Sequence, residues 1–120
     1  MKRILVADDD RHVLYLISEV LTRSDYEVSQ AADGDQALEM ARSTKPDIII
    51  LDIMMPGLDG IEVCRAVKSD PATAGIRVIM VTAKSGPQDI EAGREAGADH
   101  YITKPFRLAE LVGKIAELVG

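Results

Sequence analysis

Short apolar runs and stretches of helical period alternate five times along the chain. "RILVA" (3–7) reads as a buried strand, and Val13, Leu16, Ile17, Val20 and Leu21 then recur at the spacing of one face of an amphipathic helix. "YEVSQA" (26–31) alternates polar with apolar, as an edge strand does, and residues 33–43 read as a helix turning Ala37, Leu38 and Ala41 inward. "DIIIL" (47–51) is the most apolar run, which predicts a central strand covered on both faces. A short helix over 60–68 follows, burying Ile61, Cys64 and Val67, and then the loop "KSDPATAG" (68–75), punctuated by Pro and Gly. "IRVIMVTA" (76–83) is a fourth strand. A poor helix lies within 87–96, where Ile90 is the one large apolar residue and Gly93 and Gly97 weaken helical structure. "ADHYIT" (98–103) is a fifth strand, Lys104-Pro105 breaks it, and Leu108, Leu111, Val112, Ile115, Leu118 and Val119 line a last helix. This alternation predicts an α/β fold with a five-stranded parallel sheet and helices on both faces.

In a parallel sheet every strand ends on the same edge, so the residue closing each strand carries information. The first strand runs into Asp8, Asp9 and Asp10, the third into Asp52, the fourth ends at Thr82 and the fifth at Lys104. Taken singly these are ordinary: Asp10 suits a helix N-cap, Thr82 a β-branched strand position, Lys104 a solvated surface. Together they place acids, a hydroxyl and an ammonium on one edge. Two carboxylates about 5 Å apart, at an effective dielectric near 20, repel by roughly 3 kcal/mol. Such a cluster raises its own pKa values or recruits a cation. An all-oxygen donor set without clustered His or Cys selects Mg2+ or Mn2+ over zinc. His12 and His100 lie on different elements and read as surface histidines.

Bulk composition narrows the function further. At 120 residues the chain reads as one domain, 1–120, and a formal net charge of −6 argues against direct nucleic-acid binding. The single cysteine, Cys64, fits a reducing compartment and a small buried helix residue. No stretch has signal-peptide or membrane-spanning character, so the expected location is the cytoplasm.

The motifs "ILVADDD" (4–10), "DIIILDIMMPGLDG" (47–60), "VIMVTA" (78–83) and "GADHYITKPF" (97–106) together resemble the receiver domain of bacterial two-component response regulators. The resemblance covers the whole chain and implies the flavodoxin-like strand order 2-1-3-4-5. It implies that Asp52 accepts a phosphoryl group from a phosphohistidine on a sensor histidine kinase or a histidine phosphotransfer protein. It further implies Asp9 and Asp52 as direct Mg2+ ligands, Asp8 acting largely through water, and the Met54 backbone carbonyl as another ligand. Lys104 and Thr82 are expected on the phosphoryl oxygens, Lys104-Pro105 is expected to be cis, and Thr82 and Tyr101 form the switch that remodels the face made by the fourth helix, fifth strand and fifth helix. That face would control a downstream target or an output domain. Met54, two residues after Asp52, cannot orient water, which implies slow self-dephosphorylation, although Lys84 stands where it could assist. The chain would thus take part in its own phosphorylation without being a turnover enzyme.

Two other classes fit less well. A magnesium-dependent phosphatase of the haloacid dehalogenase type expects a second acid two residues after its nucleophile, where Met54 stands. A flavin carrier of the same fold needs a phosphate-binding loop after the first strand and flanking aromatics, yet three aspartates occupy that place and aromatics total 3%. No G-x-G-x-x-G dinucleotide fingerprint is present. The long 67–77 connection, His100 and Lys114 differ from what receivers attached to winged-helix DNA-binding domains carry. The chain is expected to be a stand-alone regulator or an excised receiver, and these departures lean toward a stand-alone or diguanylate-cyclase-type context.

Overall fold

The computed structural model describes residues 1–119, in which ten elements follow one another as strand and helix in strict alternation. They are β1 (Arg3–Ala7), α1 (Arg11–Arg23), β2 (Glu27–Ala31), α2 (Gly34–Thr44), β3 (Ile48–Leu51), α3 (Gly60–Ser69), β4 (Arg77–Thr82), α4 (Pro87–Glu95), β5 (His100–Thr103) and α5 (Leu108–Val119). All strand pairs are parallel, in the order β2-β1-β3-β4-β5. Helices cover both faces. This is the parallel α/β sheet that the pattern predicts, in the flavodoxin-like order that the resemblance implies.

Because successive strand residues point to opposite faces, each strand feeds two cores. Leu5, Ile49, Leu51, Val78 and Met80 pack with Ala37 and Ala41 of α2 and with Val63, Cys64 and Val67 of α3. Ile4, Val6, Ile48, Ile50, Ile79 and Val81 pack with Leu14, Ile17 and Leu21 of α1 and with Leu111 and Ile115 of α5. All four residues of β3 are buried, which is why its sequence shows no alternation.

Two inward faces differ from the sequence reading. On α1 the buried stripe is Leu14, Ile17, Ser18 and Leu21, while Leu16 is 40% exposed and Val13 and Val20 lie on the flanks. Ser18 is tolerated inside because Gln30 of β2 donates to its hydroxyl at 2.8 Å. On α3, Val63 occupies the buried position expected for Ile61, which is only partly covered. Carboxylates set the starts of three helices: Asp10, Asp33 and Asp59 each accept backbone N–H groups of the first turn. Asp59 and Glu62 form a reciprocal capping box. Helix α4 has no side-chain cap, and Gly93 is its only buried residue. Among the described residues, no helix is long and apolar enough to cross a membrane.

Candidate functional site

The sheet ladder continues one residue past the strands and thereby fixes the backbone of the residues at its carboxyl edge. The Asp8 N–H donates to Ala31 O (3.1 Å), the Asp52 N–H to Ala7 O (3.0 Å) and the Lys104 N–H to Thr82 O (2.8 Å). Asp8 and Asp52 are buried, at 3% and 6% exposure, whereas Asp9 is exposed. Carboxylate oxygens of Asp8, Asp9 and Asp52 lie within 4.8 Å of one another.

Asp8 and Asp52 are held in the same way. One oxygen of each accepts the backbone N–H two residues on: Asp10 N to Asp8 Oδ1 at 2.9 Å, and Met54 N to Asp52 Oδ1 at 3.0 Å. The other oxygen of each accepts Lys104 Nζ, at 2.8 Å and 3.0 Å. Lys104 follows β5, and its peptide bond to Pro105 is cis. Burial pushes the Asp8 carboxyl above its ordinary range; the bonds from Lys104 and from the Asp10 N–H oppose this, and the charge of Asp52 adds to it. Burial also acts against the Lys104 ammonium, but its bonds to Asp8 and Asp52 outweigh that cost and hold its pKa above the ordinary lysine value.

Thr82 is wholly buried, and its hydroxyl accepts the Lys84 N–H at 3.3 Å. The Tyr101 hydroxyl donates to the Lys84 carbonyl at 2.6 Å. One peptide segment at Lys84 therefore touches both residues expected to form the switch. The Tyr101 ring lies against α4, where a Cβ at Gly93 would stand 3.0 Å from Cδ2 and Cε2. Met54 is 54% exposed beside Asp52.

The donor set suits a divalent cation. Three carboxylates carry −3 and Lys104 +1, leaving −2 around a group of hard oxygens. Burial is the main cause of the raised Asp8 pKa, and the neighbouring Asp52 charge adds to it, so a bound cation would relieve both. Six-coordinate Mg2+ keeps several waters and needs only a few protein oxygens.

The family model of the response regulator receiver domain matches residues 4–116. The chain belongs to that family. This receiver is 41% identical over 114 residues to the DNA-binding response regulator MtrA of Mycobacterium tuberculosis, covering 95% of the chain and 49% of the relative. It is 47% identical over 116 residues to the response regulator PleD of Caulobacter vibrioides, covering 97% of the chain and 26% of the relative. The chain thus spans about half or less of the length of these curated relatives. The crystal structure of the chemotaxis protein CheY4 of Vibrio cholerae superimposes with a TM-score of 0.92 at 30% identity, covering 99% of both chains.

All the residues singled out at strand ends lie at one edge of this receiver, but their connections divide into two groups. Asp8, Asp9, Asp52 and Lys104 form the charged cluster; Thr82 and Tyr101 are joined through Lys84. Asp10 turns away as the cap of α1, its carboxylate accepting from His12 N and Val13 N. His12 is exposed and His100 half-buried, and neither joins the carboxylate cluster. The role of the Lys84 backbone went unread in the sequence, because no residue type marks a peptide group that bridges two side chains. At the opposite edge, Lys68 Nζ donates to Ile76 O (2.6 Å) and Asp99 Oδ2 (3.1 Å), a clamp between α3 and the start of β5.

Proposed function

We propose that residues 1–120 act as one phosphoacceptor switch in which Asp52 is the phosphoryl acceptor. The observation that carries this reading is the double pairing of Lys104 with Asp8 and Asp52 inside a three-carboxylate cluster at the sheet edge. The membership of the family supports the donor class: a phosphohistidine on a sensor kinase or phosphotransfer protein. An Asp52 oxygen forms a bond to phosphorus while the P–N bond breaks, and the electron pair leaves with the imidazole nitrogen, which is then protonated. The backbone N–H of Met54 holds one Asp52 oxygen, limiting the carboxylate to a narrow set of orientations toward the donor. Asp8, Asp9, Asp52 and the Met54 carbonyl would hold Mg2+, which when bound supplies positive charge for the phosphoryl oxygens. Lys104 is placed to move its ammonium from the carboxylates to the incoming phosphoryl oxygens, and Thr82 to offer them its hydroxyl.

The output follows from the second group. A Thr82 hydroxyl drawn toward phosphate gives up the Lys84 N–H, and the same segment carries the acceptor of the Tyr101 hydroxyl. The change at Asp52 is thereby passed to the surface of α4, β5 and α5. Helix α4, uncapped and with little buried apolar surface, is the element that shifts at least cost. Moving the population from 1:99 to 99:1 takes about 5.5 kcal/mol, within reach of a few charge-assisted bonds. The surface then engages a protein target or an output domain, in the cytoplasm beside the kinase. Asp52 is regenerated by hydrolysis, which the Met54 side chain does not assist, so the protein is a slow self-dephosphorylating switch and not a turnover enzyme.

The test is phosphotransfer from candidate sensor kinases, with Asp52→Asn as control and with Mg2+ or chelator. Labelling that needs Mg2+, vanishes in Asp52→Asn and decays slowly is expected. Label retained in Asp52→Asn moves the acceptor elsewhere and ends the proposal.

A further inference from the structure

The segment 53–59 between β3 and α3 carries the Met54 N–H that holds one Asp52 oxygen, and two helix N-termini contact it. Both contacts are made by glycine. Gly60, the first residue of α3, donates its N–H to Ile53 O at 3.0 Å, and a Cβ there would overlap the Asp52 carbonyl oxygen and stand 2.8 Å from Ile53 Cα. Gly34, the first residue of α2, donates to Pro56 O at 3.3 Å, and a Cβ there would overlap the Leu58 carbonyl oxygen and stand 2.9 Å from Leu58 Cβ.

Gly34 is the informative one, because it is buried and forms no hydrogen bond to Asp8, Asp9, Asp52 or Lys104. Its φ lies outside the left-handed region, so its backbone is open to alanine, a better helix former than glycine. Helix propensity therefore does not demand glycine here; the approach of the loop does. The overlap is with backbone carbonyl, which cannot swing aside as a flexible side chain would, so an added methyl must displace the loop. Four residues away along that loop, the Met54 N–H fixes one oxygen of Asp52.

We infer that Gly34 is a positioning residue: through the seat it gives the β3–α3 segment, it sets the Met54–Asp52 hydrogen bond and with it the orientation of the phosphoacceptor carboxylate. The affinity part of this inference rests on the metal-site reading above; the geometric part does not. Groups that orient metal ligands without touching the metal alter affinity by about 10- to 100-fold when changed.

The test compares wild type, Gly34→Ala and Gly113→Ala. Gly113 lies in α5 with open space where its Cβ would be, so it reports the helix effect of the same substitution alone. Three readouts are taken on the full chain: the Met54 amide proton shift by NMR without metal, Mn2+ affinity by calorimetry, and the urea midpoint. In Gly34→Ala the Met54 amide should move upfield, as a weakened bond to carboxylate requires, and Mn2+ should bind about tenfold more weakly. The urea midpoint should fall by less than the affinity loss would imply for general loosening. Gly113→Ala should leave the amide and the affinity unchanged. Leu58→Gly is the second variant, freeing the loop at the same contact with Gly34 intact, and should move the Met54 amide in the same direction. An unmoved Met54 amide in both Gly34→Ala and Leu58→Gly overturns the inference. Wild type that takes up no Mn2+ sinks the metal reading instead, while the amide shift still decides the role of Gly34.

Discussion

Replacing Lys104 by methionine isolates what its charge does at the site. The stem volume is roughly kept while two charge-assisted bonds, to Asp8 Oδ2 at 2.8 Å and Asp52 Oδ2 at 3.0 Å, are lost. Side-chain exposures of 19% for Lys104, 4% for Asp8 and 7% for Asp52 make this a mostly covered group of charges. A hydrogen bond to a charged group contributes about 1.5–3 kcal/mol, and the carboxylates can partly recover by admitting water. We therefore expect metal-free Lys104→Met to lose about 2–4 kcal/mol at pH 7.5, which is a drop in Tm of about 8–16 °C for a domain of this size. The loss should depend on pH in a definite sense. The Asp8 pKa is already raised by burial, and without Lys104 it rises further. As pH falls from 7.5 to 5 the folded variant takes up a proton before the unfolded chain does, so the deficit against wild type shrinks. Millimolar Mg2+ should also narrow it, since the variant's carboxylates lack the competing ammonium and take up the cation more tightly than wild type, and each tenfold in Kd adds about 1.4 kcal/mol once the site is saturated. Urea unfolding followed by far-ultraviolet circular dichroism suits a protein without tryptophan. A deficit of equal size at pH 5 and 7.5, untouched by Mg2+, would show that the loss does not arise from the charge of Lys104, and the electrostatic account of the site would be wrong.

Two further outcomes follow from the fold. Burial pushes the Cys64 thiol from its ordinary 9.0 up to about 11. At pH 8 it should react with a chromogenic disulfide at least about 100-fold more slowly in the native protein than in urea, from thiolate fraction alone. Between pH 9 and 11 the unfolded chain sheds this proton first, so stability falls by up to about 1.4 kcal/mol per pH unit; Cys64→Ala should flatten that limb, and equal slopes would contradict the burial argument. Asp59→Ala removes the acceptor of one capping-box bond, Glu62 N to Asp59 Oδ1 at 2.8 Å, and keeps the backbone N–H that donates to Glu62 Oε1 at 3.0 Å. It should cost about 1 kcal/mol in urea unfolding, and a change below about 0.3 kcal/mol would mean that solvent caps α3 equally well.

The sheet was legible because a strand buried on both faces must be continuously apolar, as Ile48–Leu51 and Val78–Val81 are. The site was legible for a related reason: polar residues at the ends of such runs are conspicuous, and parallel strands bring their ends together. Strand order came from the family resemblance, since periodicity carries no information on it. The face of α1 was misread because apolar residues at 13, 14, 16, 17, 20 and 21 permit two overlapping stripes. The choice between them is made by tertiary packing, with Leu14 against the sheet and Ser18 satisfied by Gln30. Apart from the helix cap at Asp10, hydrogen-bond partners were not legible. That Lys104 bridges Asp8 and Asp52 depends on side-chain placement, and that Lys84 joins Thr82 to Tyr101 and Gly34 abuts the β3–α3 segment depends on backbone approach, neither of which residue types encode.

The placement of β3 between β1 and β4, with β5 at the sheet margin, has a thermodynamic consequence. The amides of Ile49–Leu51 should exchange with deuterium only when the whole sheet opens, whereas those of Tyr101 and its neighbours, in an edge strand, should exchange by local fraying. On the function proposed above, the end that would receive the chemical mark is anchored in the last part of the molecule to melt, and the end that would announce it is built from the first. A message written on the rigid half would be read out by the half with freedom to answer.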